Sequence, residues 1–204
     1  YSSVNEGLSY GAVSFGSSDK LSYQLNVSKR DYNDYDAPTF YTEDHHDPSA
    51  APEGPFHSVA NSHSDSTSYG FGASYMIDSG YIGFSLSSSE NDYGVPGEHA
   101  DSETLIEMES DRFEFRSEIE ISDSDFLTGI DLNLGYGDYM HSESGYETEN
   151  GVREFHTHAT YIRKGLEGRI GLDHEIGNLK GVLGVQGLIA VSYTHLRGHE
   201  TPMY

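Results

Sequence analysis

RFEFRSEIEI, residues 112–121, decides the fold class of this chain. Phe113, Phe115, Ile119 and Ile121 fall on one side of an extended backbone, and Arg112, Glu114, Arg116, Glu118 and Glu120 fall on the other. Successive side chains of a strand point to opposite faces, so a period of two means a β-strand with one apolar face. A row of charges on the second face puts that face in water. The mixed signs along it let neighbouring strands pair charges.

The same period recurs on both sides of this stretch. In SYGFGASYMI, 68–77, Tyr69, Phe71, Ala73, Tyr75 and Ile77 oppose Ser68, Gly70, Gly72 and Ser74. In 21–28, Leu21, Tyr23, Leu25 and Val27 alternate with Ser22, Gln24, Asn26 and Ser28. Ile82, Phe84 and Leu86 alternate with Gly83, Ser85 and Ser87. Ile130, Leu132, Leu134 and Tyr136 alternate with Asp131, Asn133, Gly135 and Gly137, and Leu166, Ile170 and Leu172 oppose Glu167, Arg169 and Asp173. The chain reads as all-β.

The connections are asymmetric. Short turns are predicted at Ser17–Asp19, Asp78–Gly80, Ser122–Asp125 and Gly177–Asn178, each built from Gly, Asn, Asp or Ser, which tolerate tight-turn backbone angles. Long connections are predicted at 31–65, 95–104 and 141–154, alternating with the short ones. All short turns then lie at one end of an antiparallel up-and-down meander, which is the layout of a transmembrane β-barrel. Many strands reach about 9–11 residues, enough to cross a membrane at a tilt. A soluble sandwich with one wet face has the same period, so alternation alone leaves that reading open. The turn asymmetry, the Gly-, Ser- and charge-rich polar face and the Tyr- and Phe-rich apolar face favour a barrel wall. The lack of Trp, the other usual girdle residue, runs against it.

Composition narrows the function. The 204 residues carry 34 Asp and Glu against 11 Lys and Arg, a formal net charge of -23. Such a chain cannot neutralise a row of phosphates, which excludes nucleic acid, and its field draws cations. There is no Cys, hence no disulfide and no thiolate metal site. No apolar run is long enough for a transmembrane helix, and no signal peptide opens the chain. Tyr1 falls inside what reads as structured sequence, so residues are expected to precede it. P-loop and GxGxxG patterns are absent, and Ser, His and Asp are common enough to group by chance, so no enzyme is expected.

Histidine is the chemistry the loops offer. Of 11 His, eight fall in or beside the long connections: His45, His46, His57, His63, His99, His141, His156 and His158. The densest patch is Glu43, Asp44, His45, His46 and Asp47. Neutral imidazole with carboxylates suits Zn²⁺ and other borderline divalent ions. The expected site is transient capture of such an ion, as transported ligand rather than cofactor, by Asp44, His45, His46, Asp47, His57 and His63, with His99 and Asp101 from the next loop. Solvated polar loop residues in a His-rich acidic chain are the plainer reading, since no fixed ligand spacing such as HExxH is present. Asp31, Asp34 and Asp36 of DYNDYD do not make a Ca²⁺ loop, because Asp36 stands where the turn needs Gly. They read as a strand-to-loop junction.

Set in order, several segments resemble one family. GASYMIDSGYIGFSLSSSENDYGVPG, 72–97, resembles the strand, tight turn, strand and "YGIPG" sequence of TonB-dependent receptor barrels. RDYNDYDAP at 30–38, IEMESDRFEFRSEI at 106–119, LNLGYGDYMHSE at 132–143 and GLEGRIGLDHEIGNLKGVLGVQ at 165–186 extend the likeness over about 1–190. No single motif is decisive; their order and spacing carry the resemblance, which is best to zinc- and iron-uptake members. It implies a barrel of about 22 strands around an N-terminal plug, with a TonB-contacting segment and an outer-membrane location. It also implies energised uptake of a scarce nutrient, zinc or an iron chelate, opened by TonB-driven rearrangement of the plug. Residues 1–190 are then a partial barrel of about eight strands without its plug, with plug, TonB and outer-membrane lipid as partners. VSYTHLRGHETPMY, 191–204, breaks the alternation and resembles translated sequencing-adapter sequence, so the native chain is expected to stop near Ala190. A passive porin-like barrel and a soluble or surface-displayed β-sandwich for binding or adhesion are the competing classes.

Overall fold

Antiparallel hairpins built on the expected turns make almost the whole molecule. The computed structural model describes residues 2–42, 51–97, 104–124, 126–149 and 152–196. The strands are β1 (Leu8–Ser17), β2 (Leu21–Tyr32), β3 (Asp36–Thr42), β4 (Glu53–Ser58), β5 (Ser64–Ile77), β6 (Gly80–Val95), β7 (Thr104–Glu120), β8 (Leu127–Glu149), β9 (Val152–Ile176) and β10 (Leu179–Leu196). Eight of them form one antiparallel sheet in the order β1-β2-β5-β6-β7-β8-β9-β10. β3 and β4 form a separate two-stranded sheet inserted between β2 and β5. The fold is an all-β antiparallel meander. The sheet is open, since β1 and β10 do not pair with each other. No helix among the described residues is long and apolar enough to cross a membrane, which says nothing of crossing by strands.

Register keeps the two faces distinct. Leu25, Phe71, Leu86, Phe113, Tyr136, Leu166 and Ile189 pair in one continuous row from β2 to β10. One residue along, Gln24, Gly72, Ser85, Glu114, Gly135, Glu167 and Leu188 form the neighbouring row on the opposite face. Paired residues of an antiparallel ladder share a face, so a slip of one residue would exchange every side chain between faces. The β5–β6 turn resists such a slip at Gly80, whose φ of 149° suits glycine and whose missing Cβ would run into the Glu118 carbonyl oxygen.

The sheet has almost no core. Among the described residues only Ile106 and Ala159 are buried apolar residues, while Leu25 is 50% exposed, Leu166 52% and Ile189 71%. No second layer of described residues covers the apolar face, because β3 and β4 contact no strand but each other.

Two connections differ from the sequence reading. The segment 141–154 is not a long loop, because β8 and β9 stay paired from His141↔Tyr161 to Glu149↔Val152. A bulge between Glu143 and Ser144, a 3.1 Å bond between the Ser144 and Thr157 hydroxyls and an edge-on Tyr146–Phe155 contact at 5.0 Å hold this extension. His141, His156 and His158 are therefore strand residues. The connection 31–65 contains the β3–β4 hairpin. Beyond Ala190, β10 runs on through Leu196, with Val191–Leu196 paired to Lys164–Ala159. The turns at the opposite end are short, as the sequence indicates, at 18–20, 78–79, 121–126 and 177–178.

Candidate functional site

The polar face concentrates charge midway along β7, β8 and β9. In one row Arg112 pairs with Gly137, which pairs with Gly165. Toward the short turns, the next rows hold Glu114, Gly135 and Glu167, then Arg116, Asn133 and Arg169. On the other side lie Ser110, Tyr139 and Arg163. Because the intervening β8 positions are glycine, Arg112 reaches across that strand. Its Nη2 lies 2.9 Å from Glu114 Oε1 and 3.3 Å from Glu167 Oε1. A Cβ on Gly135 would stand 2.8 Å from Glu167 Oε1 and obstruct that bridge. Arg116 Nη2 adds a 3.7 Å approach to Glu114 Oε2. Within this belt Arg112, Arg116, Arg163 and Arg169 face Glu114 and Glu167, so the belt is locally cationic in a chain of net charge -23.

Two hollows flank the belt. The first, about 260 Å³, is walled by Arg112, Tyr139, Arg163, Glu167 and Leu188. Its floor is glycine: nothing lies within 4 Å of where a Cβ on Gly137 would stand. The second, about 570 Å³, runs over Ser74, Gly83 and Ser85 between Phe15 and Arg116. Toward the long-loop end, Tyr139 and His141 share a 2.9 Å hydrogen bond between the hydroxyl and Nδ1. The His141 ring stacks on Tyr161 with centroids 4.5 Å apart, and its Nε2 lies 3.6 Å from Glu143 Oε1.

A second polar knot ties down the base of the connection between β2 and β5. The Asp34 carboxylate accepts the backbone N–H groups of Asn61 (3.2 Å), Ser62 (2.7 Å) and His63 (2.9 Å). Asn61, at a φ of 58° that Asn tolerates, donates its amide to the Val95 and Thr104 carbonyls, both at 2.8 Å. These bonds lash the loop base to the ends of β6 and β7. Asp34 is thus the junction residue that the DYNDYD run suggests.

Of the predicted metal-capture set, Asp44, His45, His46, Asp47, His99 and Asp101 lie outside the described residues. His57, on β4, has its Nδ1 3.3 Å from Thr39 Oγ1. His63 has its Nδ1 3.7 Å from Asp34 Oδ1. No group of three or more His, Asp or Glu side chains suited to a metal ion forms among the described residues.

The glycine-floored hollow was not foreseen from the sequence. Its only trace there is glycine on the wet face of two strands, at Gly135 and Gly137 and at Gly165, with arginine nearby. No protein-family model matches the chain, and a search of curated proteins finds no match.

Proposed function

We propose that this chain is part of the wall of an outer-membrane β-barrel, and that the barrel belongs to a TonB-dependent receptor that takes up a scarce nutrient, zinc or an iron chelate, without catalysis. The observation that carries the barrel reading is the uncovered apolar face. Fully burying one large apolar side chain is worth roughly 1.5–3 kcal/mol. A row of half-exposed residues such as Leu25 to Ile189 therefore leaves on the order of 5–10 kcal/mol unrealised in water, comparable with the whole stability of a domain. Lipid hydrocarbon supplies that cover, and the opposite Gly-, Ser- and charge-rich face suits a wet lumen. A sandwich would need a second sheet on the apolar face, and the described residues provide only the small β3–β4 pair. The receptor assignment rests on the order of the segments at 30–38, 72–97, 106–119, 132–143 and 165–186. The plug and TonB are then partners, and the loop histidines are candidate capture groups.

Three measurements test these levels separately. The full-length protein, expressed in a Gram-negative host, should fractionate with the outer membrane and migrate faster in gels before boiling than after. A chain that stays in solution without detergent sinks the barrel. Uptake of radiolabelled zinc and of a ferric chelate should collapse on adding a protonophore. Uptake that survives it points to a passive porin. Sequencing the flanking genomic DNA should reveal a plug and TonB-contacting segment upstream.

A further inference from the structure

We propose that the glycine-floored groove on the polar face of β7 to β10 binds a small polycarboxylate anion, free or as its metal chelate. The groove belongs to the chain whichever membrane role it has; only the further statement that the anion is transported cargo rests on the receptor reading above.

One cation at the groove has no carboxylate partner among the described residues. No carboxylate lies within 4.0 Å of the Arg163 guanidinium among the described residues, although acids outnumber bases 34 to 11 in the chain. Its neighbour Lys164, on the opposite face, is paired with Asp138 at 2.6 Å, and Lys29 with Asp65 at 2.6 Å. Of the carboxylates bordering the groove, Glu167 is engaged by Arg112 at 3.3 Å, while Asp111 and Asp138 pair with each other in a row of the opposite face and point away from Arg163. Arg163 therefore projects an open guanidinium into the groove.

The rest of the groove is built to receive what Arg163 attracts. Arg112, held by Glu114 and Glu167, fixes a second guanidinium on the facing wall. Between the two arginines the floor is Gly137 and Gly165, so an anion can descend to the backbone beside the open fork of Arg163, with Arg112 on the facing wall already paired to Glu114 and Glu167. Planar guanidinium matches a carboxylate with two parallel N–H···O bonds, which a lysine ammonium cannot reproduce. The hollow of about 260 Å³ lies just under the usual range for small-molecule sites, about 300–1,000 Å³. It suits a tricarboxylate, while a chelate would seat one carboxylate arm and leave its metal facing the lumen. Toward the short turns the same face carries Glu118 and Asp131, which pair in one row and repel an anion from that end.

Equilibrium dialysis of the full-length protein in detergent micelles tests the site, with citrate and ferric citrate as probes at about 0.1 M salt. Saturable binding is expected for at least one probe, and the arm that binds more tightly identifies the free anion or the chelate. Arg163→Ala should weaken it by roughly 10–100-fold, the worth of a charge-assisted bidentate contact. Arg163→Lys should recover only part of the loss. Gly137→Val tests the floor without altering charge: its side chain enters open space, so the sheet should fold normally while binding drops at least as far. Arg30→Ala, on β2, should bind like the wild type. Absence of saturable binding of either probe by the wild type overturns the proposal. So does unchanged binding in Arg163→Ala, or in Gly137→Val should the first variant fail to fold. Gel migration and membrane fractionation report on the barrel independently, so a protein that inserts and does not bind refutes the groove alone.

Discussion

On one face of the sheet the row from Leu25 to Ile189 is apolar in every strand it crosses. One residue along, the row from Gln24 to Leu188 is Gly, Ser and charge in its central strands. The same ladder of backbone hydrogen bonds carries both, so pairing cannot be what distinguishes them. The difference lies in what each side chain row needs beside it. The first leaves large exposed hydrocarbon, with Phe71 and Phe84 meeting edge-on at 5.7 Å and both exposed. The second satisfies itself laterally, as when Arg112 reaches over β8 to Glu167. The apolar band also has an edge. Across β6 to β9 it gives way, toward the long loops, to Ser88, Asp111, Asp138 and Lys164 on the same face. A face that is apolar only within a band is what a bilayer boundary asks for.

The largest expected effect comes from placing one charge on each face in turn. Phe84 lies within the apolar band, 42% exposed and paired with Ala73 and Phe115. Phe84→Arg should destabilise the lipid-inserted protein by about 2–4 kcal/mol, the cost of Arg at the bilayer midplane of a barrel. Ser85→Arg, one residue on, points to the wet face opposite Glu114 and should change stability by less than about 0.5 kcal/mol. Denaturant unfolding from lipid vesicles reads both. Equal costs for the two variants would erase the distinction between the faces.

Where that distinction is sharp, the sequence declares it; where it blurs, the sequence is silent. β2 and β5 to β9 are legible because Leu, Phe and Ile face Ser, Gly and charge at alternate positions. At the edges the contrast fails. β1 places Val13 and Phe15 in the polar-face rows beside Asn26 and Gln24, and β10 places Val182 and Leu188 beside Asp173 and Glu167. The far end of the β8–β9 hairpin was missed for the converse reason. Ser142, Ser144, Thr157 and Thr160 put polar side chains on both faces, and a strand wet on both sides has no hydropathy period to detect. The groove was hidden more deeply, because glycine leaves no side chain to read. Only register shows that Gly137 of β8 lies beside Gly165 of β9 and between two arginines.

A smaller effect is expected from the turn that holds the faces apart. Gly80 opens β6 with a φ of 149°, and an added Cβ would collide with the Glu118 carbonyl oxygen across the ladder. Gly80→Ala should cost about 1–3 kcal/mol, the usual range for forcing a side chain into a glycine-only conformation. The measurement is again unfolding from vesicles, together with cysteine accessibility at position 85. If labelling of Ser85→Cys shifts from the aqueous to the lipid side in the Gly80→Ala background, the turn sets the register. If only stability falls, the apolar rows set it unaided and the turn merely tolerates it.

The smallest effect should come from the polar face itself. Arg112 touches Glu114 at 2.9 Å and Glu167 at 3.3 Å, but its side chain is 56% exposed, so water and salt screen both contacts. Exposed pairs of this kind are worth about 0–1 kcal/mol, and Arg112→Ala should stay within that range. Its signature is ionic strength rather than size. The difference from wild type should shrink as salt rises from about 0.05 M to about 0.5 M, because the screening length falls through the separation of the pair's unscreened neighbours. Phe84→Arg should show no such dependence, since its cost is desolvation in hydrocarbon. A loss of several kcal/mol on Arg112→Ala, insensitive to salt, would mean that the belt is closed off from water, and the two faces would then differ in polarity but not in burial.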